Sequence, residues 1–223
     1  MNFLFLVILV ILSCCFVSSN DEVCINGACP VQNGFSPTRV FHSNSVLKLV
    51  GTGIRRKNLV FIDVDVYAIG FYVSDKKIND LKKNSKVTLS QGINKALGGY
   101  ADEVQAGIVL KFLRNVETKK IVDAIGDSLS MKQPNKEYLN ELERFKLYLT
   151  NLVGKSGAKL GDEIEFVFKQ KNNDEFGISV NKSKIQWLKN SQLRINLIEI
   201  YSDNEKCVSL DLVKSLVSTI KTL

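Results

Sequence analysis

A single histidine, His42, stands in 223 residues. One imidazole excludes the paired-His zinc sites and the H-E-x-x-H hydrolases, and it leaves a Ser-His-Asp triad only one base to use. The Gly-x-Gly at 51–53 is followed by no third glycine and opens no helix, so no dinucleotide fingerprint is present. Low-complexity tracts and internal repeats are also missing. No segment after residue 17 is apolar enough to cross a bilayer. Two thiols at Cys24 and Cys29, with no second pair and His42 thirteen residues on, do not make a zinc site. No metal and no cofactor are expected.

What is present is the composition of an ordinary folded domain, 45% hydrophobic and 24% charged, which excludes a disordered tail protein. Thirty Lys and Arg against 23 Asp and Glu give a net charge of +7. The lysines are dispersed as pairs among acids, and the one dense cluster, Arg55-Arg56-Lys57, sits inside an apolar segment. That pattern is a solvated surface and not a nucleic-acid stripe.

Residues Phe3 to Leu12 are ten consecutive large apolar side chains, and Val17-Ser18-Ser19 supplies small residues before the first charge, Asp21. This reads as a secretory signal peptide over 1–19, with an uncleaved signal anchor as the alternative because no Lys or Arg precedes the run. Cleavage removes Cys14 and Cys15. In an oxidising lumen Cys24 and Cys29 can close a small loop, leaving Cys207 buried as a small hydrophobe. Asn181-Lys182-Ser183 is a glycosylation sequon at Asn181. The secretory lumen or the extracellular space is the expected location, with a secondary plastid reached by the same route as the other.

Residues 20–45 are rich in Asn, Ser, Gly and Pro and read as an arm, and the domain is expected over 46–223. Val46 to Val50 reads as a strand, Gly51-Thr52-Gly53 as a turn, and Leu59 to Val73 as a second strand dense in β-formers. Gly107 to Val116 is a third. Ile121, Val122, Ile125 and Leu129 recur at helical steps, as do Leu139, Leu142, Phe145, Leu149, Leu152 and Val153, with Pro134 between the two runs. Ile164, Phe166 and Phe168 return through Phe176, Ile178 and Val180 as a hairpin across 171–174. A last helix opens at Ser209 as N-cap. The class is α+β, a large antiparallel sheet with helices gathered on one face.

The chemistry concentrates where Gly51-Thr52-Gly53-Ile54-Arg55 meets Val64-Asp65-Val66-Tyr67-Ala68-Ile69-Gly70-Phe71-Tyr72-Val73. A permanent cation held against an apolar wall needs an anion or several hydrogen bonds. Tyr67 can offer a phenol donor to the same anion. The competing readings are a surface Arg55 and a Tyr67 that only fills core.

These segments, with Leu113-Arg114-Asn115-Val116 leading to Thr118-Lys119-Lys120-Ile121-Val122-Asp123-Ala124, resemble the chalcone isomerase family in order and spacing over roughly 46–223. The resemblance implies an open-faced sandwich with a ligand cleft between sheet and helices. In the isomerases an Arg, matched by Arg55, polarises the ligand during ring closure, aided by a Thr whose place is Tyr67 here. The family's catalytic Tyr and Asn fall on Glu117 and Ala124. These departures resemble the non-catalytic, fatty-acid-binding branch, in which Arg55 and Tyr67 would grip a carboxylate. Arg114 matches a further arginine of that branch, with a role at the sheet edge as the other reading. The cleft lining implied is Val64, Val66, Ile108, Leu110, Phe112, Ile121 and Ile125. The expected partner is a fatty acid or another small amphipathic carboxylate, bound by a monomer without turnover. The alternative is an isomerase-type intramolecular lyase closing an oxygen heterocycle, with Arg55 and Tyr67 stabilising the developing anion. Strict alternation leaves one difficulty: it puts Tyr67 on the face of Asp63 and Asp65, unless the strand bulges or the acids lie beyond the cleft.

Overall fold

The computed structural model describes residues 34–41, 45–59, 62–83, 89–97, 104–130, 135–169, 175–203, 205 and 207–222. The chain divides into two units, 1–30 and 31–223, and everything described belongs to the second. The signal peptide, Cys24, Cys29 and the 171–174 turn lie outside the described residues.

Seven antiparallel strands form one sheet in chain order: β1 Thr38–Val40, β2 Val46–Leu59, β3 Ile62–Val73, β4 Val104–Phe112, β5 Glu163–Lys169, β6 Glu175–Val180 and β7 Gln186–Lys189. Six described helices accompany it: α1 Asp75–Lys83, α2 Leu89–Ala96, α3 Thr118–Ser130, α4 Lys136–Val153, α5 Ser191–Ser202 and α6 Leu210–Thr222. Alternation along the strands decides the layering. Tyr67, Ile69, Phe71 and Val73 of β3, Ile108, Leu110 and Phe112 of β4, and Ile164, Phe166 and Phe168 of β5 enter one core with residues of all six helices. The architecture is the expected open-faced α+β sandwich.

The periodic segments fold as their patterns require. Helix α3 buries Ile121, Val122, Ile125 and Leu129, and α4 buries Leu142, Phe145, Leu149 and Val153. The Asn135 side chain caps α4 by accepting from the Tyr138 N–H at 2.7 Å. Ser209 caps α6, its hydroxyl accepting from the Leu212 N–H at 3.3 Å. In the β5–β6 hairpin Phe166 stands opposite Ile178 and Phe168 opposite Phe176.

Two expectations are corrected. Gly51-Thr52-Gly53 is not a turn: β2 runs through it without reversal. The glycines are there because α6 lies against the strand. A Cβ on Gly53 would stand 2.5 Å from the Leu212 backbone nitrogen, and one on Gly51 2.7 Å from Leu216 Cδ2. The strand reverses after Leu59, and β3 begins at Ile62.

The end of the arm is also part of the domain. β1 pairs with β2 from Thr38 opposite Lys48 to Val40 opposite Val46. Arg39 reaches Glu165 and, at 2.6 Å, Glu163, both on β5. Strands are spaced about 4.8 Å apart, so an arginine cannot cross three of them, and β1 must fold over the back of the sheet. There Phe35 and Phe41 join Leu47, Ala68, Tyr72, Val109 and Val167 in a second, smaller core. The Phe41 ring occupies the space a side chain on Gly107 would need. A three-residue strand has no alternation to read, which is why this segment looks like an arm.

Candidate functional site

Arg55 on β2 and Tyr67 on β3 are direct cross-strand partners. Beyond them the register shifts, and Arg56 stands opposite Asp65, so Val66 is one extra residue on β3. This bulge resolves the alternation problem. Asp65 turns to Arg56 in a 3.0 Å ion pair, Asp63 accepts from the Asn58 amide, and both acids are exposed. Arg56 also holds Asp211 at 2.8 Å, fastening the start of α6 to β2.

Arg55 is half-buried, and its Nη1 donates to the Val208 carbonyl at 3.1 Å. Tyr67 is 6% exposed, with its ring edge-on to Phe112 at 5.7 Å. Its hydroxyl faces that of Tyr201, a fully buried residue of α5 that the sequence reading did not single out. Burial raises the pKa of both phenols. Arg55 pulls in the opposite direction on each, and the neighbouring Tyr67 raises Tyr201 further. Both therefore stay protonated and able to donate at neutral pH. The two oxygens are close enough to influence each other's ionisation, yet the Tyr201 Oη meets no partner with acceptable hydrogen-bond geometry. A guanidinium and two phenol O–H groups make a donor-rich cluster inside an apolar core. Its chemical complement is an anion with several acceptor lone pairs.

The remaining residues of interest sort clearly. Ile108, Leu110, Phe112, Ile121 and Ile125 are at most 3% exposed and share the main core with Tyr67. Val66 is half-buried against that core, and Val64 is half-buried outside it. Arg114 is exposed, past the end of β4, and does not join Arg55 and Tyr67. Cys207 is half-buried and not a core residue, with burial raising its thiol pKa and Arg55 among the groups that lower it. Asn181 is exposed with φ 50°, its amide nitrogen donating to Asp162 at 3.0 Å. Glu117 and Ala124, at the places of the isomerases' Tyr and Asn, are exposed, and Glu117 pairs with Lys120 at 2.5 Å. An open hollow of about 760 Å³ lies between the start of α3 and the end of α4, lined by Lys119, Val122, Asp123 and Lys155 among others. Its mixed charges do not suit a fatty tail, and it does not include Arg55, Tyr67 or Tyr201.

The model of the chalcone isomerase-like family matches residues 31–209. The chain belongs to this family. Its start at 31 agrees with a domain that includes β1. Among solved structures, the chalcone isomerase-like chain superposes on an Arabidopsis thaliana fatty-acid binding protein, AtFAP1, with a TM-score of 0.60 and 15% identity, over 83% of this chain and 98% of that one. At that identity the likeness concerns the fold. No curated protein matches in sequence. Among the described residues, no helix of this family member is long and apolar enough to cross a membrane.

Proposed function

We propose that this chalcone isomerase-like protein binds a fatty acid or a similar amphipathic carboxylate, with the head group at Arg55, Tyr67 and Tyr201 and the tail between sheet and helices. The observation that carries the reading is the buried Tyr201 hydroxyl, which faces Tyr67 and Arg55 and meets no acceptor with good hydrogen-bond geometry. A buried polar group left unsatisfied is costly, and a carboxylate oxygen would satisfy it. The likeness in fold to AtFAP1, a fatty-acid binding protein, supports the same ligand class.

Magnitudes divide the labour. At about 0.8 kcal/mol per buried methylene, a tail of some fifteen carbons supplies on the order of 12 kcal/mol, against about 1.5–3 for one charge-assisted hydrogen bond. The tail drives association, and Arg55 sets its direction. After association costs of several kcal/mol, micromolar or tighter affinity remains. Ring closure is not favoured, because the positions of two isomerase catalytic groups hold Glu117 and Ala124, both turned to solvent. The leader at 1–19, the Cys24–Cys29 loop and the sequon at Asn181 fit passage through the secretory pathway as part of the same proposal.

Calorimetric titration of delipidated protein with palmitate tests the reading. Saturable binding that is clearly weakened in Arg55→Ala supports it. No saturable binding, or equal binding by Arg55→Ala, overturns it.

A further inference from the structure

β4 and β5 continue past the end of the sheet as a short ribbon. Val116 and Ala158 exchange backbone hydrogen bonds at 2.8 and 2.9 Å, and the Leu160 N–H donates to Asn115 Oδ1 at 2.9 Å. The ribbon leaves the sheet beside the carboxylate site: Phe112 packs on Tyr67, and the Leu113 N–H donates to the Val66 carbonyl. Two large apolar side chains stand exposed on it, Leu113 at 36% and Leu160 at 69%.

Charge around these leucines is mainly positive. Residues 113–120 and 155–162 carry Arg114, Lys119, Lys120, Lys155 and Lys159, all exposed, against Glu117 and Asp162. Glu117 is neutralised by Lys120 at 2.5 Å, and Asp162 accepts from the Asn181 amide and the Lys159 backbone N–H. Among the described residues Arg114, Lys155 and Lys159 have no carboxylate partner. Exposed leucines carried on segments with an excess of cations complement a surface that is oily inside and negative outside. Neither segment contains an aromatic residue, which leaves single-stranded nucleic acid without a stacking platform.

We propose that this ribbon is a docking face for an anionic lipid bilayer, with Leu113 and Leu160 entering the headgroup region and the cations resting on lipid phosphates. The proposal rests on the fatty-acid reading for its purpose: docking here sets the strand end that carries Tyr67 against a source of acyl chains.

The test uses the purified chain with vesicles of phosphatidylcholine alone and of phosphatidylcholine with 30% phosphatidylglycerol. Hydrogen exchange localises contact regardless of what the amino-terminal segment does. The expected result is slowed exchange in 113–116 and 158–161 with the anionic vesicles only. Partitioning should fall about tenfold in Lys155→Glu/Lys159→Glu and measurably in Leu160→Ser. Unchanged exchange in both segments, partitioning of both variants equal to wild type, or equal binding to neutral vesicles overturns the proposal. Decanoate titration without vesicles reads the carboxylate site separately, and these variants should bind decanoate as wild type does. Loss of vesicle docking with decanoate binding intact therefore leaves the functional reading standing, and the converse leaves docking standing.

Discussion

Arg55 and Tyr67 face one another across β2 and β3 because Val66 is an extra residue on the second strand. The insertion brings Tyr67 level with Arg55 while Asp65 is taken by Arg56. The cation at the site thus has a phenol beside it and no carboxylate opposite it. A site for an acid needs this separation, since an adjacent Asp would occupy the arginine itself.

Arg55→Ala should weaken fatty-acid binding by roughly 10- to 100-fold, the equivalent of one charge-assisted hydrogen bond. Arg55→Lys should recover part of the loss, because the charge returns without the planar fork. Titration calorimetry with palmitate checks both.

Tyr201→Phe separates binding from folding. The hydroxyl it removes is buried without a good partner, so the variant should be as stable as wild type or up to about 1 kcal/mol more stable in urea melts. Its affinity for a carboxylate should nevertheless fall several-fold. Lower stability with unchanged affinity would mark Tyr201 as a packing residue alone.

Alkaline pH should destabilise the fold. Burial holds Tyr67 and Tyr201 protonated above their usual range and pushes Tyr72 up to about 12. A folded-state pKa above the unfolded one gives stability that is full below pH about 10 and lost as the pH rises toward 12, because the unfolded chain releases its phenol protons first. Tyr72 contributes to that loss in the same direction. Urea melts at pH 8, 10 and 11.5 should show stability flat, then falling.

Gly53→Ala should cost at least 1–3 kcal/mol, because the added methyl would stand 2.5 Å from the Leu212 backbone nitrogen, which no side-chain rotation relieves. The same melts measure it.

Arg39→Ala should cost about 2–4 kcal/mol, since it strands Glu163 and the largely buried Glu165 without their cation. Arg39→Ala together with Glu165→Gln should recover part of that loss.

The sequence exposed those parts of the fold that repeat. Helices α3, α4 and α6 and the β5–β6 hairpin carry one apolar stripe or one alternating face, and a stripe is readable without coordinates. Helix α5 buries Leu193, Arg194, Asn196, Leu197, Ile198, Ile200 and Tyr201 around most of its circumference, so no stripe marks it. That is why no pattern marks Tyr201, while Arg55 and Tyr67 stand out in two neighbouring strand segments. Gly51 and Gly53 misled for a related reason. A glycine that admits a neighbouring helix and a glycine that reverses a chain look alike in one dimension.

Phe41 over Gly107 sets a limit on how far the chain can be shortened from its amino-terminal side. The ring fills the space left over Gly107, and it is carried by residues ahead of β2. A truncation that keeps this cover must therefore stop short of Phe35, the other phenylalanine ring of the smaller core. A cut nearer Val46 would strip the sheet of its rear cover and open Leu47, Ala68, Tyr72, Val109 and Val167 to water.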